Sequence, residues 1–370
     1  MTDFKKIAGF IVSAAFILTS CSNGSDPIDD VSCTVNAPST YSYEFEGTST
    51  VAYSGQAARL ATAKDLYDAM NADMTVTRAD LDALVDNDNS KLYTKTAEND
   101  INREVIIGHL NGILDDYAAN SAAFEAGTVA SAGVAGINAS GYELNANGWE
   151  ADQLYAKMLI GALCLEQVSY DYLTKMDVDN EDRNYSEGNV YTKREHYFDE
   201  AYGYVYGLDD DDATAEINNG LLLGKYLNKH TGPGEGSGND WRGDAYNAFK
   251  AGRQAVVDNC EDELNNQIAI INTTLSHVVA WHAEDYLRDA AGYLTSDPAK
   301  YFHAVSEAWG FVYSLQFTKM SDGEPMFTHS EVMTMITTLE NGDGTGNGAY
   351  GLDAATLTTM ADDISAAMNN

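Results

Sequence analysis

Apolar residues recur every three or four positions along most of the chain, which is the pattern of helices with one buried face. The spacing first becomes helical at Gln56, and a short helix capped by Thr77 and ending near Leu84 follows. Turn residues bound a series of longer helices. We predict these at about residues 98–126, 149–176, 191–207, 240–258, 262–292, 298–317, 328–340 and 353–368.

Signals for other structure are few. The stretch Tyr41–Gly55 has β-forming residues in alternation, which predicts one or two short extended pieces. Only five prolines occur, and Pro298, after Asp297, stands where a helix begins rather than inside one. The sequence therefore predicts an all-α protein with a short extended N-terminal segment.

One helical segment occurs twice in the sequence. The first copy is HYFDEAYGYVYGL, starting at His196, and the second is HAVSEAWGFVYSL, starting at His303; seven of their thirteen residues are identical. The Gly-rich stretch Lys229–Asp240 lies between the copies and predicts a boundary. We therefore predict two pseudo-symmetric helical bundles, residues 43–230 and 240–370, related by duplication.

The repeated segments carry the candidate chemistry. On a helix, His196 and Glu200 lie one turn apart, as do His303 and Glu307. Imidazole and carboxylate ligands suit iron or zinc, so the four residues are candidate metal ligands at an interface of the two bundles. They could also share a proton, or form buried hydrogen-bonded pairs that only fix helix packing. The residues by themselves leave these interpretations open.

Four further residues are secondary candidates for the site. Glu166 lies in the middle of an apolar helix, where an unpaired carboxylate is unfavourable, so we expect it to reach toward a His–Glu segment. His277 and Glu284 share one helix face, and His282 points elsewhere. His109, in the apolar run VIIGHLNGIL, is interpreted as a core residue.

The N-terminus is typical of an exported lipoprotein. A basic pair, Lys5 and Lys6, precedes the apolar stretch Ile7–Leu18, which is too short to span a bilayer as a mature helix. We predict a signal peptide at residues 1–20 and lipid attachment to Cys21, which would anchor the protein to a membrane. The polar composition of residues 21–42 predicts a flexible tether.

Three cysteines remain after Cys21, so not all of them can pair. Cys164 lies in an apolar run and is interpreted as a small buried side chain. A disulfide between Cys33 and Cys260 is possible, but nothing in the sequence requires it.

Charge excludes one class of partner. The chain has 21 Lys and Arg against 57 Asp and Glu, a formal net charge of −36. Such a surface attracts cations and repels phosphate backbones, and no basic patch offsets it, so we expect no nucleic-acid binding. The sequence has no HExxH, GxSxG, phosphate-binding or dinucleotide-binding motif, and we assign no catalytic residue.

Several blocks together resemble an uncharacterised family of bacterial lipoproteins related to imelysins, the domain of unknown function 4856. The resemblance spans roughly residues 43–340. It implies a fold of two helical bundles and a location in the cell envelope of a Gram-negative bacterium, at the outer membrane. Its blocks are FEGTSTVAYSGQAARL, GNVYTKREHYFDEAYGYVYG, WRGDAYNAFKAGR, ELNNQIAII and FHAVSEAWGFVYSL.

The resemblance also implies a function. Imelysins are associated with iron uptake, were once classed as metallopeptidases and carry a Gly-x-His-x-x-Glu motif, whereas here three residues separate His from Glu in each pair. We expect a lipid-anchored protein that binds a metal, iron first, and acts with an uptake partner in the envelope. The alternatives are a zinc metallopeptidase-like hydrolase with the same residues and a non-catalytic binding or scaffold lipoprotein.

Overall fold

The computed structural model describes residues 33–72, 74–86, 91–184, 186–209, 213–217 and 221–369. The predicted signal peptide 1–20, Cys21 and the first part of the predicted tether, 21–32, lie outside these residues. Within the described part of the chain, no helix has the length and apolar character needed to cross a membrane.

Helices form most of the regular structure, and the all-α prediction is confirmed. Helices α3 and α7 are short and were not predicted, whereas the other helices fall within the predicted segments, with their ends shifted by a few residues. The helices are α1 Ser54–Ala69, α2 Arg78–Val85, α3 Leu92–Lys95, α4 Arg103–Glu125, α5 Ala151–Leu159, α6 Lys193–Tyr206, α7 Leu223–Leu227, α8 Trp241–Val257, α9 Glu261–Ser296, α10 Pro298–Ser314, α11 His329–Asn341 and α12 Ala354–Met368.

Local capping explains where several helices begin. The Thr77 side chain accepts a hydrogen bond from the Asp80 N–H, and the Asp80 carboxylate accepts one from the Thr77 N–H, a reciprocal cap at the start of α2. Asp297 caps α10, and Pro298 occupies its first turn. The predicted starts at these two places are confirmed.

Two small antiparallel hairpins each precede a long helix. Strands β1 Glu44–Phe45 and β2 Thr48–Ser49 come before α1, which confirms the extended N-terminal segment. Strands β3 Gly136–Ile137 and β4 Glu143–Leu144 come before α5 and were not predicted. The chain therefore repeats a hairpin followed by a helix.

Each copy of the repeated segment packs against one of these two helices. A Cβ added to Gly203 of α6 would lie 2.5 Å from the Tyr53 Cβ, and one added to Gly310 of α10 would lie 2.4 Å from the Lys157 Cβ. These contacts require glycine, because any side chain would push the helices apart. Since α5 and α10 come from opposite sides of the Gly-rich loop and pack together, the division into two bundles stays a prediction.

Helix α5 continues as a π-helical segment, Ile160–Asp171, which is almost wholly buried. The change of helix type coincides with an inserted side chain. The Ser314 hydroxyl donates a hydrogen bond to the Lys157 carbonyl at 2.7 Å and accepts one from the Gly161 N–H at 2.9 Å. A hydroxyl inserted into the backbone ladder in this way is a known cause of local widening.

A disulfide joins Cys33 to Cys260, directly before α9. Tyr41 is 1% exposed and donates a hydrogen bond to Asp199 at 2.8 Å, so residues 33–42 of the predicted tether are attached to the helical body. The interpretation of Cys164 as a buried, unpaired cysteine is confirmed, and burial raises the pKa of its thiol to about 12.

A buried ionic network connects α6, α8 and the N-terminal segment. Arg253 is fully buried, and its Nε lies 2.8 Å from an Asp199 carboxylate oxygen. The same guanidinium lies 3.4 Å from Glu195 and donates to the Thr50 hydroxyl at 3.0 Å. Because one buried arginine links two carboxylates of α6 to Thr50 of the N-terminal segment, we interpret this network as structural.

Candidate functional site

The second His–Glu segment lies at the boundary between α5 and α10. His303 stands between two carboxylates, with its Nδ1 2.9 Å from Glu150 Oε2 and its Nε2 3.5 Å from Glu307 Oε2. The Tyr142 ring, directly before β4, stacks on the imidazole with centroids 4.6 Å apart. Both edges and one face of the imidazole are therefore contacted, which restrains its orientation.

Glu307 is a buried carboxylate whose negative charge is balanced by a neighbouring ammonium group. Its Oε1 lies 3.1 Å from Lys157 Nζ and accepts a hydrogen bond from the Tyr226 hydroxyl at 2.9 Å. Burial by itself would raise the pKa of Glu307, but Lys157 and then His303 lower it to about 2. Glu307 is therefore ionised at neutral pH.

The negative charge of Glu150 is less well balanced by its neighbours than that of Glu307. It is 3% exposed, and burial raises its pKa to about 7, although the hydrogen bond from His303 acts in the opposite direction. Burial works against the charged form of His303, yet Glu150 and Glu307 raise its pKa overall. Because Glu150 and His303 are hydrogen-bonded and each shifts the pKa of the other, their titrations are coupled.

A small acidic cavity of about 180 Å³ adjoins this pair, and Glu150, Asp152 and His303 line it. The Asp152 carboxylate accepts hydrogen bonds from the amides of Asn71 at 3.0 Å and Gln153 at 2.7 Å. Among the described residues, no hydrogen-bond partner reaches Glu150 Oε1. A buried oxygen without a protein partner is unfavourable, so a group that donates to this oxygen or coordinates it would stabilise the site.

The first His–Glu pair repeats only part of this arrangement. His196 Nε2 lies 3.7 Å from Glu200 Oε2, and the Tyr191 ring stacks on His196 with centroids 4.5 Å apart. Glu200 accepts a hydrogen bond from the Gln56 amide at 2.9 Å, where Glu307 has the Lys157 ammonium. The two copies therefore share a geometry and differ in charge.

Replacing Glu150 by glutamine is expected to lower the pKa of His303. The carboxylate raises that pKa through a hydrogen bond and its charge, and an amide keeps the size of the side chain but removes the charge. The imidazole Cε1–H resonance followed by NMR against pH measures the change. Glu284→Gln supplies the control, because Glu284 pairs with Arg288 and does not contribute to the pKa of His303. An unchanged His303 titration in Glu150→Gln would contradict the coupling.

The chain matches the protein family described as Domain of unknown function (DUF4856) over residues 38–123 and 93–369. The chain belongs to this family. No curated protein and no solved structure matches it. The predicted relation to imelysins and the predicted lipoprotein character stay predictions, and all residues of the site just described lie within the matched region.

The DUF4856 chain brings each predicted His–Glu pair together, because both pairs lie one turn apart on a helix. It does not combine the pairs into one ligand set. In the part of the chain that the structure describes, no group of three or more His, Cys, Asp or Glu side chains is arranged to hold a metal ion. The predicted metal ligands His196, Glu200, His303 and Glu307 therefore stay candidates.

The secondary candidates contact other partners. The Glu166 carboxylate accepts hydrogen bonds from the Asn99 N–H at 2.8 Å and the Gln167 amide at 2.7 Å, rather than from a His–Glu segment. His277 stacks on the Trp241 ring. The same Trp241 ring packs beside His230, and His230 packs against His282, so His277 and His282 belong to one aromatic cluster.

His282 has a partner that sequence reasoning missed. Its Nε2 lies 3.2 Å from Nε2 of His230, a buried residue at the edge of the Gly-rich loop. The interpretation of His109 as a core residue is wrong, because it is exposed and lines a cavity while its Nδ1 contacts the Tyr313 hydroxyl at 2.8 Å. Glu284 forms a surface pair with Arg288.

Sequence reasoning also missed Glu150 and Lys157, although a signal for them exists. In WEADQLYAKM the polar residues Glu150, Gln153 and Lys157 recur at three and four positions within an otherwise largely apolar run. A polar stripe inside a buried helix needs polar partners. The stripe thus pointed to a polar site, but not to which distant segment would supply the partners.

Proposed function

We propose that this DUF4856 protein binds a metal cation, with iron as the expected metal, in the cavity beside His303. In this proposal it is an exported protein, anchored through lipid on Cys21, that presents the cation to an uptake partner in the cell envelope. The observation that carries the proposal is Glu150 Oε1, a buried carboxylate oxygen that lines an acidic cavity and has no hydrogen-bond partner among the described residues.

The available donor atoms support a cation as the ligand. Glu150, Asp152 and His303 line the cavity with carboxylate and imidazole groups, which are donor types that iron and zinc accept. Their positions do not form a ligand set as they stand among the described residues, so a cation would have to draw them together. Lys157 pairs with Glu307 and also acts to lower the pKa of Asp152, so one ammonium is shared among the acidic side chains and cannot neutralise all three. The net charge of −36 also favours accumulation of cations near the protein.

Protons compete with a cation at this site. Since Glu150 has a pKa of about 7 and His303 a raised pKa, a bound cation must displace protons from them at neutral pH. The proposal therefore includes tighter binding as the pH rises through about 7. A flat pH profile between pH 6 and 8 would contradict that part of it.

Metal content of the mature chain tests the proposal directly. The protein is exposed to Fe(II) or Zn(II), desalted and analysed by mass spectrometry, and its affinity is measured by competition with a chelator. Glu150→Gln and His303→Ala are expected to weaken binding by at least about tenfold, the usual minimum for losing a group that supports a metal site. A preference for iron over zinc would support uptake rather than hydrolysis.

The duplicated segment supplies a matched control. His196→Ala removes the equivalent imidazole from the first copy, where Gln56 faces the glutamate, and it should leave metal binding unchanged. If the wild-type protein retains no metal, or if His196→Ala and His303→Ala lose it equally, the proposed site is refuted. Circular dichroism of each variant separates loss of metal from loss of fold.

A further inference from the structure

A second, larger cavity of about 510 Å³ lies between α4, α5, α10 and α11. It is distinct from the cavity beside His303. Trp149 and Ala151 line the larger cavity, whereas Glu150 and Asp152, which alternate with them in sequence, line the smaller one. The start of α5 therefore separates two sites, and the proposed cation site does not account for the larger one.

Two glycines keep one side of this cavity bare. Gly108 and Gly112 lie one turn apart inside α4, and both line the cavity. A Cβ added to either glycine would meet no atom within 4 Å, so no neighbouring group requires glycine there. Glycine inside a helix is unfavourable relative to alanine. Because these two positions carry no side chain, the space beside them stays open.

The polar groups of the cavity restrict the charge of a ligand. Asp116 and Glu340 supply carboxylates, and Asn145 and Asn147 supply amides. No Lys or Arg is among the described residues that line it, and burial lowers the pKa of the His109 imidazole, so no cationic side chain offsets the repulsion of an anionic ligand by the two carboxylates.

The indole of Trp309 restricts the ligand further. Trp309 is 4% exposed and lines the cavity, and no described residue accepts a well-formed hydrogen bond from its indole N–H. The indole nevertheless lies close to Glu340, because it lowers the pKa of that carboxyl against the effect of burial. A ligand group between the indole and the Glu340 carboxylate must accept from the one and donate to the other. The Asp116 carboxylate already accepts hydrogen bonds from the amides of Asn145 at 2.8 Å and Asn120 at 3.2 Å, and it has lone pairs left for a further donor. An ammonium group only donates, whereas a hydroxyl group donates and accepts.

We propose that this cavity binds a neutral polyhydroxylated molecule of monosaccharide size. Its hydroxyls would donate to the Asp116 and Glu340 carboxylates and accept from the Trp309 N–H. Apolar side chains of Ile113 and Ile336 complete the lining and suit the C–H groups of a sugar ring. The volume falls within the range of about 300–1,000 Å³ that is usual for small-molecule sites.

Calorimetric titration of the mature chain with D-glucose, D-galactose, D-mannose and N-acetyl-D-glucosamine tests this inference. At least one of these sugars is expected to bind saturably. Gly112→Leu should weaken that binding by more than tenfold, because its side chain enters the cavity. The variant should fold with an unchanged or higher melting temperature, since leucine is the better helix former.

Gly292→Leu is the matched control. Gly292 also lies inside a helix, α9, with no atom within 4 Å of an added Cβ, but it does not line this cavity. It should bind the sugar as the wild type does, and so should His303→Ala, which keeps this result independent of the proposed cation site. The absence of saturable binding for all four sugars, or equal binding by folded Gly112→Leu, would overturn the inference.

Discussion

Replacing Arg253 by methionine is expected to lower the free energy of unfolding by about 3–5 kcal/mol, the usual effect of removing one partner from a buried ion pair. Methionine preserves much of the volume but leaves Asp199 and Glu195 without their shared cation. Burial already raises the pKa of Asp199 even though Arg253 opposes it, so without the guanidinium this carboxyl must become protonated or remain an uncompensated charge.

Urea unfolding monitored by circular dichroism measures this effect. Arg288→Met is the control, because Arg288 pairs with Glu284 and Asp362 at the surface and is 41% exposed in its side chain. Exposed pairs of this kind contribute about 0–1 kcal/mol. The double variant Arg253→Met/Asp199→Asn should recover part of the loss, because it no longer leaves that acidic group unpaired. Equal effects of Arg253→Met and Arg288→Met would contradict the structural role of the network.

Lys157→Met is expected to have a similar effect, about 3–5 kcal/mol, for the same physical reason. Lys157 and Glu307 are both nearly inaccessible to water, and the ammonium is the principal favourable charge for this carboxylate. The Tyr226 hydroxyl remains as a hydrogen-bond donor, but it carries no charge to replace the lost one.

The pH dependence gives this prediction a second readout. Because the folded state holds the pKa of Glu307 at about 2, below its ordinary value of 4.5, Glu307 contributes stability above pH 4.5 that is lost as the pH falls toward 2. In Lys157→Met the pKa of Glu307 should rise, so this part of the acid dependence should become smaller. Urea unfolding at several pH values between 2 and 7 measures it.

The first copy of the repeat again offers the comparison. Gln56→Met removes the neutral partner of Glu200 and should destabilise the protein by about 1 kcal/mol, the usual contribution of one hydrogen bond. The double variant Lys157→Met/Glu307→Gln should be more stable than Lys157→Met, since it leaves no buried charge unpaired. If Gln56→Met and Lys157→Met have equal effects, the difference in charge between the two copies has no energetic consequence.

The two copies of the repeated segment share a geometry but differ in their neighbours. Both keep a His and a Glu one turn apart, a tyrosine stacked on the imidazole and a glycine against a neighbouring helix. The second copy alone combines this geometry with Lys157 and the incompletely paired Glu150. On the proposed function, the first copy has a packing role and the second also forms part of the cation site.

Much of the helical structure was predictable because its causes are local. The start of α2 at Thr77 and that of α10 at Asp297 follow from capping residues within one turn of the helix end. The pairing of His303 with Glu307 follows from helix periodicity in the same way. Such features depend on residues three or four positions apart, which a single sequence displays directly.

The rest of the site depends on contacts between distant segments. Glu150 is separated from His303 by 153 residues, and Lys157 and Glu307 are 150 residues apart. The π-helical segment after α5 likewise coincides with the Ser314 hydroxyl, supplied by another helix. No local pattern specifies which of 57 acidic side chains meets a given imidazole.

The sequence by itself determined the helical class, most helix positions and the existence of a repeated His–Glu segment, because propensity, capping and periodicity act over a few residues. Only the tertiary structure decided that the two pairs have separate surroundings, that Glu150 lies beside His303 and that a second cavity opens above Gly108 and Gly112. Those outcomes depend on how long helices pack, and packing is a property of the whole chain.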